Sequence, residues 1–357
     1  MNVKKLKQMD NIYTEDGWLD MPAIIELNFP FTFIIGARGV GKTYGALKYV
    51  ITHDINHLLL RRSNDDFKII SRDDGSPYAE LNSDLCRDIT VQPVNAHLSS
   101  IFNGVRNEKE MVEPEGDSIG YIASLAGLAH IRGFNFYNVK KIIYDEFIPE
   151  EHLRPIRNEA EAFFNMYETV CRNRELKGEA AVQCICLANS NRADNPIFME
   201  LGLTNKIVKM QNKGQQIFYD VSRGILVIDC QNSPISDKKK NTALGRLTAG
   251  TSFAGMAYDN RFMNIDDKLI KSMPLEKMTP VCSWNNLYLY KAEAEDGRWI
   301  WFLSTHKTGS FTINYQHNKT DDLRFVQKYN FLLAAILRGR IFFESYEVQQ
   351  KFFGLFL

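Results

Sequence analysis

The sequence predicts an α/β protein, a mainly parallel sheet covered on both faces, followed by a smaller α+β domain. Three observations lead there. The apolar runs FTFIIG (31–36), HLLLRR (57–62), KKIIYDEF (140–147) and AVQCICLANSN (181–191) alternate with helical stretches, as strands joined by helical crossovers do. A glycine turn opens a helix directly after the first run. Beyond residue 260 the apolar residues become aromatic and alternate, as in NLYLYKAEAEDGRWIWFLS (287–304), whose Asp296-Gly297 pair marks a hairpin turn. With 357 residues, 45% of them hydrophobic and 24% charged, the chain holds enough core for two domains.

In chain order, FTFIIG is a strand that runs through the turn into the helix KTYGALKYVI. NEAEAFFNMYETVCRNRE (158–175) is a helix with acids in its first turn and arginines in its last, which suits the helix dipole. Residues 231–260 are rich in Ser, Thr, Gly and Lys with weak periodicity. The expected organisation is therefore a nucleotide-type domain over 1–232, a linker over 233–258 and a second domain over 259–357. There FTINYQ (311–316) continues the sheet. DDLRFVQKYNFLLAAILRGR (321–340) is one helix with Phe325, Tyr329, Leu332, Leu333 and Ile336 as its apolar stripe, capped by Asp321 or Asp322.

Composition excludes several classes. Lys plus Arg (43) equals Asp plus Glu (43), so nucleic-acid binding must come from local patches. The six cysteines lack metal-site spacing and read as buried thiols of a reducing compartment, with Cys184 and Cys186 on one face of a strand. The N-terminus lacks a signal-peptide apolar stretch, and FLLAAIL (331–337) is too short to span a bilayer. A soluble intracellular protein without a membrane partner is expected.

Residues 36–43, GARGVGKT, spell the phosphate-loop pattern G-x-x-x-x-G-K-[ST] between a strand and a helix. Gly36, Ala37, Arg38, Gly39, Val40 and Gly41 would wrap a phosphate with backbone N–H groups at a helix N-terminus. Lys42 would reach the β- and γ-phosphates, and Thr43 would ligate Mg²⁺. The Walker B strand is IIYDE, where Asp145 completes the metal shell and Glu146 polarises the attacking water. Two adjacent acids argue for hydrolysis rather than phosphoryl transfer to a second substrate. Asn318, Lys319, Thr320 and Asp321 spell the guanine-reading N-K-x-D motif. They lie in the other domain, and Asp145 lacks the glycine of a GTPase switch, so the match reads as accidental and ATP as the nucleotide. Asn189, at the end of the next strand, is a γ-phosphate sensor candidate. Arg172 and Arg174 are candidates for an arginine finger acting on a neighbour's site, and Arg132 for a further basic residue.

Taken together, FIIGARGVGKTY, IIYDEFIPE, ETVCRNRE, CICLANSN followed by NPIF, and GRLTAGT with MAYDNRF, in order across residues 33–262, resemble the DNA-packaging ATPases of phi29-type tailed phages. The resemblance implies an ASCE/RecA-like P-loop ATPase followed by a vestigial RNase H-like nuclease domain. It implies a homopentameric ring that drives double-stranded DNA into a procapsid, docked on the portal directly or through a packaging RNA. The setting would be the host cytoplasm, transiently at the portal vertex. It carries Lys42 and Thr43 to phosphate and Mg²⁺, Asp145 and Glu146 to metal and water, and Arg172 to the trans-acting finger. Arg132 falls where the family has a trans-acting lysine.

The acids of the second domain, Glu293, Glu295 and Asp296 at the hairpin turn and Asp321 and Asp322 at the helix start, are dispersed, so no nuclease activity is expected. Candidate DNA contacts are Lys238, Lys239 and Lys240 with Arg246 in the linker, and Lys68, Arg106 and Lys109 in loops. Such contacts would grip phosphates without reading bases. Competing readings are a helicase or other ring ATPase, a nucleotide-gated capsid assembly protein, and a terminase that also cuts.

Overall fold

The computed structural model describes residues 1–9, 11–109, 111–131, 133–149, 156, 158–189, 195–230, 233–249, 269–316 and 318–356. Two compact units separate: Met1–Glu200 with Lys209–Phe262, and Leu201–Val208 with Met263–Leu357.

The first unit is built on nine strands: β1 Phe31–Ile35, β2 His57–Arg61, β3 Ile89–Asn95, β4 Leu98–Arg106, β5 Val112–Ser124, β6 Lys141–Asp145, β7 Gln183–Leu187, β8 Ile217–Asp220 and β9 Ile225–Asp229. Their order is β3-β4-β5-β2-β6-β7-β1-β9-β8. From β5 to β9 every pairing is parallel. The β3-β4-β5 meander and β8 add antiparallel edges, strands absent from the expectation. Much of β4 and β5 is exposed, so they never form the continuous apolar run that marks a strand buried on both faces.

Alternation along the central strands feeds two layers. Ile34, Leu59, Ile143, Ile185 and Leu187 join Ala46, Leu47, Val50 and Ile51 of the helix Lys42–Thr52 in one core. Phe33 and Tyr144 turn to the opposite face, within ring contact of Phe163 from the helix Glu159–Cys171. Each such side chain, fully buried, contributes roughly 1.5–3 kcal/mol.

Several expectations change. The helix read over 158–175 ends at Cys171, and Arg172 is its C-cap with φ +49°. Its first-turn acid Glu159 is buried against Arg62 (2.6 and 3.0 Å). The segment expected as a linker holds the helices Pro234–Lys240 and Ala243–Leu247. Pro234 sits in the first turn of one, and Thr242 caps the other through Gly245 N–H, local signals that a composition-based reading passes over. Residues 250–258 of that segment lie outside the described residues. Cys86 is exposed, unlike the other five cysteines. Cys184 and Cys186 do share a strand face, with their sulfurs 3.8 Å apart.

The second unit carries the strands β10 Thr279–Trp284, β11 Leu287–Glu293, β12 Trp299–Ser304, β13 Asn314–Tyr315 and β14 Ile341–Phe343, in the order β13-β10-β11-β12-β14. An antiparallel meander β10-β11-β12 is flanked by β13 parallel to β10 and β14 parallel to β12. The Asp296-Gly297 hairpin forms as expected, with Gly297 at φ +72°. The helix expected over 321–340 divides at Asn330 into Lys319–Tyr329 and Phe331–Leu337. Its cap is Asn318, which accepts from Asp321 N–H at 3.0 Å, not Asp321 or Asp322. The N-K-x-D resemblance is thereby accounted for as helix-capping chemistry.

Candidate active site

The site grows from the C-terminal ends of the parallel strands. β1 ends at Ile35, and the chain turns through Gly36 (φ +98°), Gly39 (φ +63°) and Gly41 (φ +89°) before the helix begins at Lys42. These are left-handed conformations that side-chain-bearing residues resist. Ala37 and Val40 point inward and are fully buried, so the loop is anchored by its apolar residues while its glycines bend. The Lys42 ammonium is buried and donates to Gly36 O (2.8 Å) and Ala37 O (2.6 Å). Burial pushes its pKa below the usual lysine value, an effect opposed by nearby Cys230, Asp145 and Asp229.

The next helical residue, Thr43, donates from Oγ1 to Asp145 Oδ1 at 2.9 Å. The contact spans the sheet, because β7 lies between β1 and β6. An alcohol and a carboxylate facing each other at the loop rim are hard oxygen donors of the kind Mg²⁺ takes. Beyond Asp145 the chain leaves β6, with Glu146 at φ +57°, an uncommon conformation for a non-glycine residue. Its side chain is 44% exposed.

Sequence reasoning missed Arg61. It closes β2, one position past the Leu60–Tyr144 pair that registers β2 against β6. Its Nη1 donates to Asp145 Oδ2 at 2.7 Å and lies 3.4 Å from Glu146 Oε2. One guanidinium thus touches both acids of the Walker B pair. The available signal was a basic residue ending an apolar strand, which becomes informative only when that strand is known to adjoin β6.

Asn189 is exposed two residues past β7, whose last residue Leu187 pairs with Ile34 of β1 and Asp145 of β6. It therefore emerges between the phosphate-loop strand and the Walker B strand. Arg172 is exposed, and its Nη2 donates to Phe134 O at 2.8 Å. Arg174, the other arginine expected as a finger, is instead buried and donates to Val139 O, Phe136 O and Val170 O. Arg132 lies outside the described residues.

The candidate DNA contacts sort differently. Lys68 pairs with Asp65 (3.1 Å) on the exposed face of the helix Asn64–Ile70, and Arg106 with Asp88 (2.7 Å). Lys109 is exposed between β4 and β5. The lysine run is helical rather than a free linker. Lys238 donates to Asp16 O (3.0 Å), Lys239 to Arg38 O in the phosphate loop (2.9 Å), and Lys240 to Asp237 (2.9 Å). Arg246 donates to Asn241 O.

The phosphate loop, the Walker B acids and a strand order with β7 inserted between their two strands define a P-loop NTPase of the ASCE type. More particularly, the chain belongs to the family described as Podovirus DNA encapsidation protein (Gp16), whose model matches residues 91–279. The DNA packaging protein of Bacillus phage phi29 is 25% identical over 344 residues, 91% of this chain and 92% of that protein. The DNA packaging protein of Bacillus phage B103 is 29% identical over 240 residues, 67% of this chain and 66% of that protein. A chain of the bacteriophage Phi-29 viral genome packaging motor assembly shares the fold, with a TM-score of 0.63 over 95% of this chain and 98% of that one, at 18% identity.

Proposed function

We propose that this protein is an ATP-hydrolysing motor that translocates double-stranded viral DNA into a procapsid, working as a homo-oligomeric ring, pentameric in the family's manner, at the portal vertex within the host cytoplasm. The observation that carries the reading is the 2.9 Å Thr43–Asp145 contact with Glu146 adjoining, in a chain of the DNA encapsidation family. Loop N–H groups and Lys42 bind the triphosphate. Thr43 and Asp145 would hold Mg²⁺, which when bound neutralises phosphate charge. Glu146, at the strand end, accepts a proton from the attacking water. Asn189 orients that water or senses the γ-phosphate. Arg172 from a neighbouring subunit stabilises the transition-state charge, with Arg132 as a second trans-acting group. In this reading Lys68, Arg106 and Lys109 grip DNA phosphates, and the portal is met directly or through a packaging RNA.

The second unit, read as a vestigial RNase H-like domain, docks and grips without cutting. Its carboxylates support this: Asp296 is paired with Arg340 (2.6 Å), Asp322 accepts from Trp284 Nε1 (2.6 Å), and Glu344 accepts from Ser304 and Thr305. Among the described residues no group of three or more His, Cys, Asp or Glu side chains is arranged to hold a metal, and no helix is long and apolar enough to cross a membrane.

The test is steady-state ATP hydrolysis with and without double-stranded DNA across protein concentrations. A shared-site motor gives DNA stimulation and a specific rate that climbs with concentration. Rates indifferent to both would replace the motor with a self-sufficient ATPase. Stronger stimulation by single strands would point to a helicase, and metal-dependent plasmid cleavage to a cutting terminase.

A further inference from the structure

The helix Pro234–Lys240 brings an ammonium to the phosphate loop that the Walker pattern does not contain. Lys239 Nζ donates to Arg38 O at 2.9 Å from a position 201 residues away in sequence. A Cβ placed on Gly39 would lie 1.9 Å from that nitrogen. Gly39 is not one of the motif's required glycines. Its φ of +63° gives a physical reason for glycine there, and the ammonium occupies the space a side chain would take.

The position is enforced. Ile235 and Ser236 are buried, and Lys238 ties the helix to Asp16 O. A Cβ on Gly17 would meet the Pro234 ring at 2.7 Å, and one on Gly245 would meet the backbone O of Lys239 at 2.3 Å, so both neighbouring segments pack closely on the helix. Lys239 is thus held at the loop by its scaffold.

Its electrostatic surroundings call for an anion. Among the described residues no carboxylate forms an ion pair with Lys239. Burial, and then the like charge of Arg38, lower its pKa, and Lys239 in turn lowers that of Lys42. Among the described residues this half-buried ammonium, with three donors, donates to one carbonyl, close to Arg38 and Lys42 and on a loop whose backbone N–H groups also favour negative charge. Desolvating a cation in that company is costly unless a negative group arrives.

We propose that Lys239 is a second phosphate-binding lysine of this site, contributed by the segment after β9, and that it contacts the phosphate chain of the bound nucleotide at the loop's Gly39 rim. The proposal rests on the ATP reading above and deepens it. Through this lysine, nucleotide occupancy acts directly on the helix pair 234–247.

The test measures binding of a fluorescent ATP analogue and the KM and kcat of ATP hydrolysis in the full-length protein. Lys239→Gln keeps a donor for Arg38 O but removes the charge. It is expected to melt as the wild type does and to weaken ATP binding about tenfold or more, as loss of a charge-assisted hydrogen bond does. KM should rise, with kcat the smaller change. Lys239→Arg should restore most of the affinity, and Lys240→Gln, on the same helix but paired with Asp237, should bind ATP as the wild type does. Competition by adenosine should be equal in wild type and Lys239→Gln. If Lys239→Gln binds ATP as tightly as wild type, or loses adenosine and ATP in equal proportion, Lys239 is only a packing residue and the proposal falls. Wild-type protein that binds no ATP would instead sink the nucleotide reading itself.

Discussion

Both units set carboxylates at the ends of β-strands, yet they use them in opposite ways. In the large unit Asp145 and Glu146 emerge side by side at the C-terminal end of β6, where Asp145 accepts from the Thr43 hydroxyl and both acids meet the guanidinium of Arg61. In the small unit Asp296 closes a hairpin against Arg340, Asp321 accepts from Gln316 N–H beside its capping Asn318, and Glu344 gathers two hydroxyls, Thr305 N–H and His306. The hairpin turn, the helix start and the end of β14 each set an acid beside partners that consume it. Parallel strands end together on one edge, where acids from one strand face the loop that follows another. The arrangement of strands, more than the number of acids, decides which sheet carries chemistry.

The comparison can be broken where its expected effects are largest. Arg172→Ala should lower DNA-stimulated hydrolysis by roughly 10³-fold or more if that arginine completes a neighbour's site. Mixing it with Glu146→Gln subunits should recover part of the rate, because some interfaces then pair an intact Glu146 with an intact Arg172. No recovery on mixing would confine each site to one chain.

A purely structural acid of the same large unit behaves differently. Glu159→Ala removes the carboxylate that holds the buried Arg62 and should destabilise the protein by about 3–5 kcal/mol, read as a lower denaturation midpoint. Unchanged stability would show that water reaches Arg62.

Acid supplies the next effect. His57 is fully buried, accepts from Tyr78 OH at Nε2 (2.7 Å), and burial lowers its pKa to about 4 from the ordinary 6.5. The unfolded chain binds a proton between those values and the folded one does not. Stability from this group is therefore complete above pH 6.5 and lost as pH falls toward 4, by about 3 kcal/mol. Melting temperatures across pH 7 to 4.5 should fall less in His57→Gln than in wild type, from a lower starting point. Parallel slopes would remove His57 as the cause.

The smallest effect belongs to the small unit. Asp296→Asn loses an exposed ion pair with Arg340, so melting temperature and ATP hydrolysis should both match wild type. A loss of hydrolysis there would erase the distinction between the two sheets.

Much of the large unit was legible in its residues. Continuous apolar runs announce β1, β2, β6 and β7, because strands buried on both faces read that way, while β9 passed unread. GARGVGKT announces its loop, because backbone capture of phosphate needs glycines and a lysine at fixed spacing. The β3-β4-β5 meander was not legible, since its half-exposed strands interleave polar residues that resemble loops. Nor was the lysine helix, whose Ser, Asp and Lys content reads as a solvated connection until Ile235 is seen buried and Lys239 seen on the loop.

The sequence by itself determined the local chemistry: a phosphate loop, a Walker B pair, an Asp-Gly hairpin and the alternation of strand and helix. These are legible because they depend on neighbours a few residues apart, whose geometry follows from φ, ψ and side-chain type. Only the tertiary structure decided which distant groups complete the site. Arg61 meets Asp145 across 84 residues, and Lys239 meets Arg38 across 201. It also decided that Arg174 is spent on buried carbonyls while Arg172 stays exposed. Those outcomes turn on strand order and on which side chains burial strips of water, and both are properties of the assembled fold.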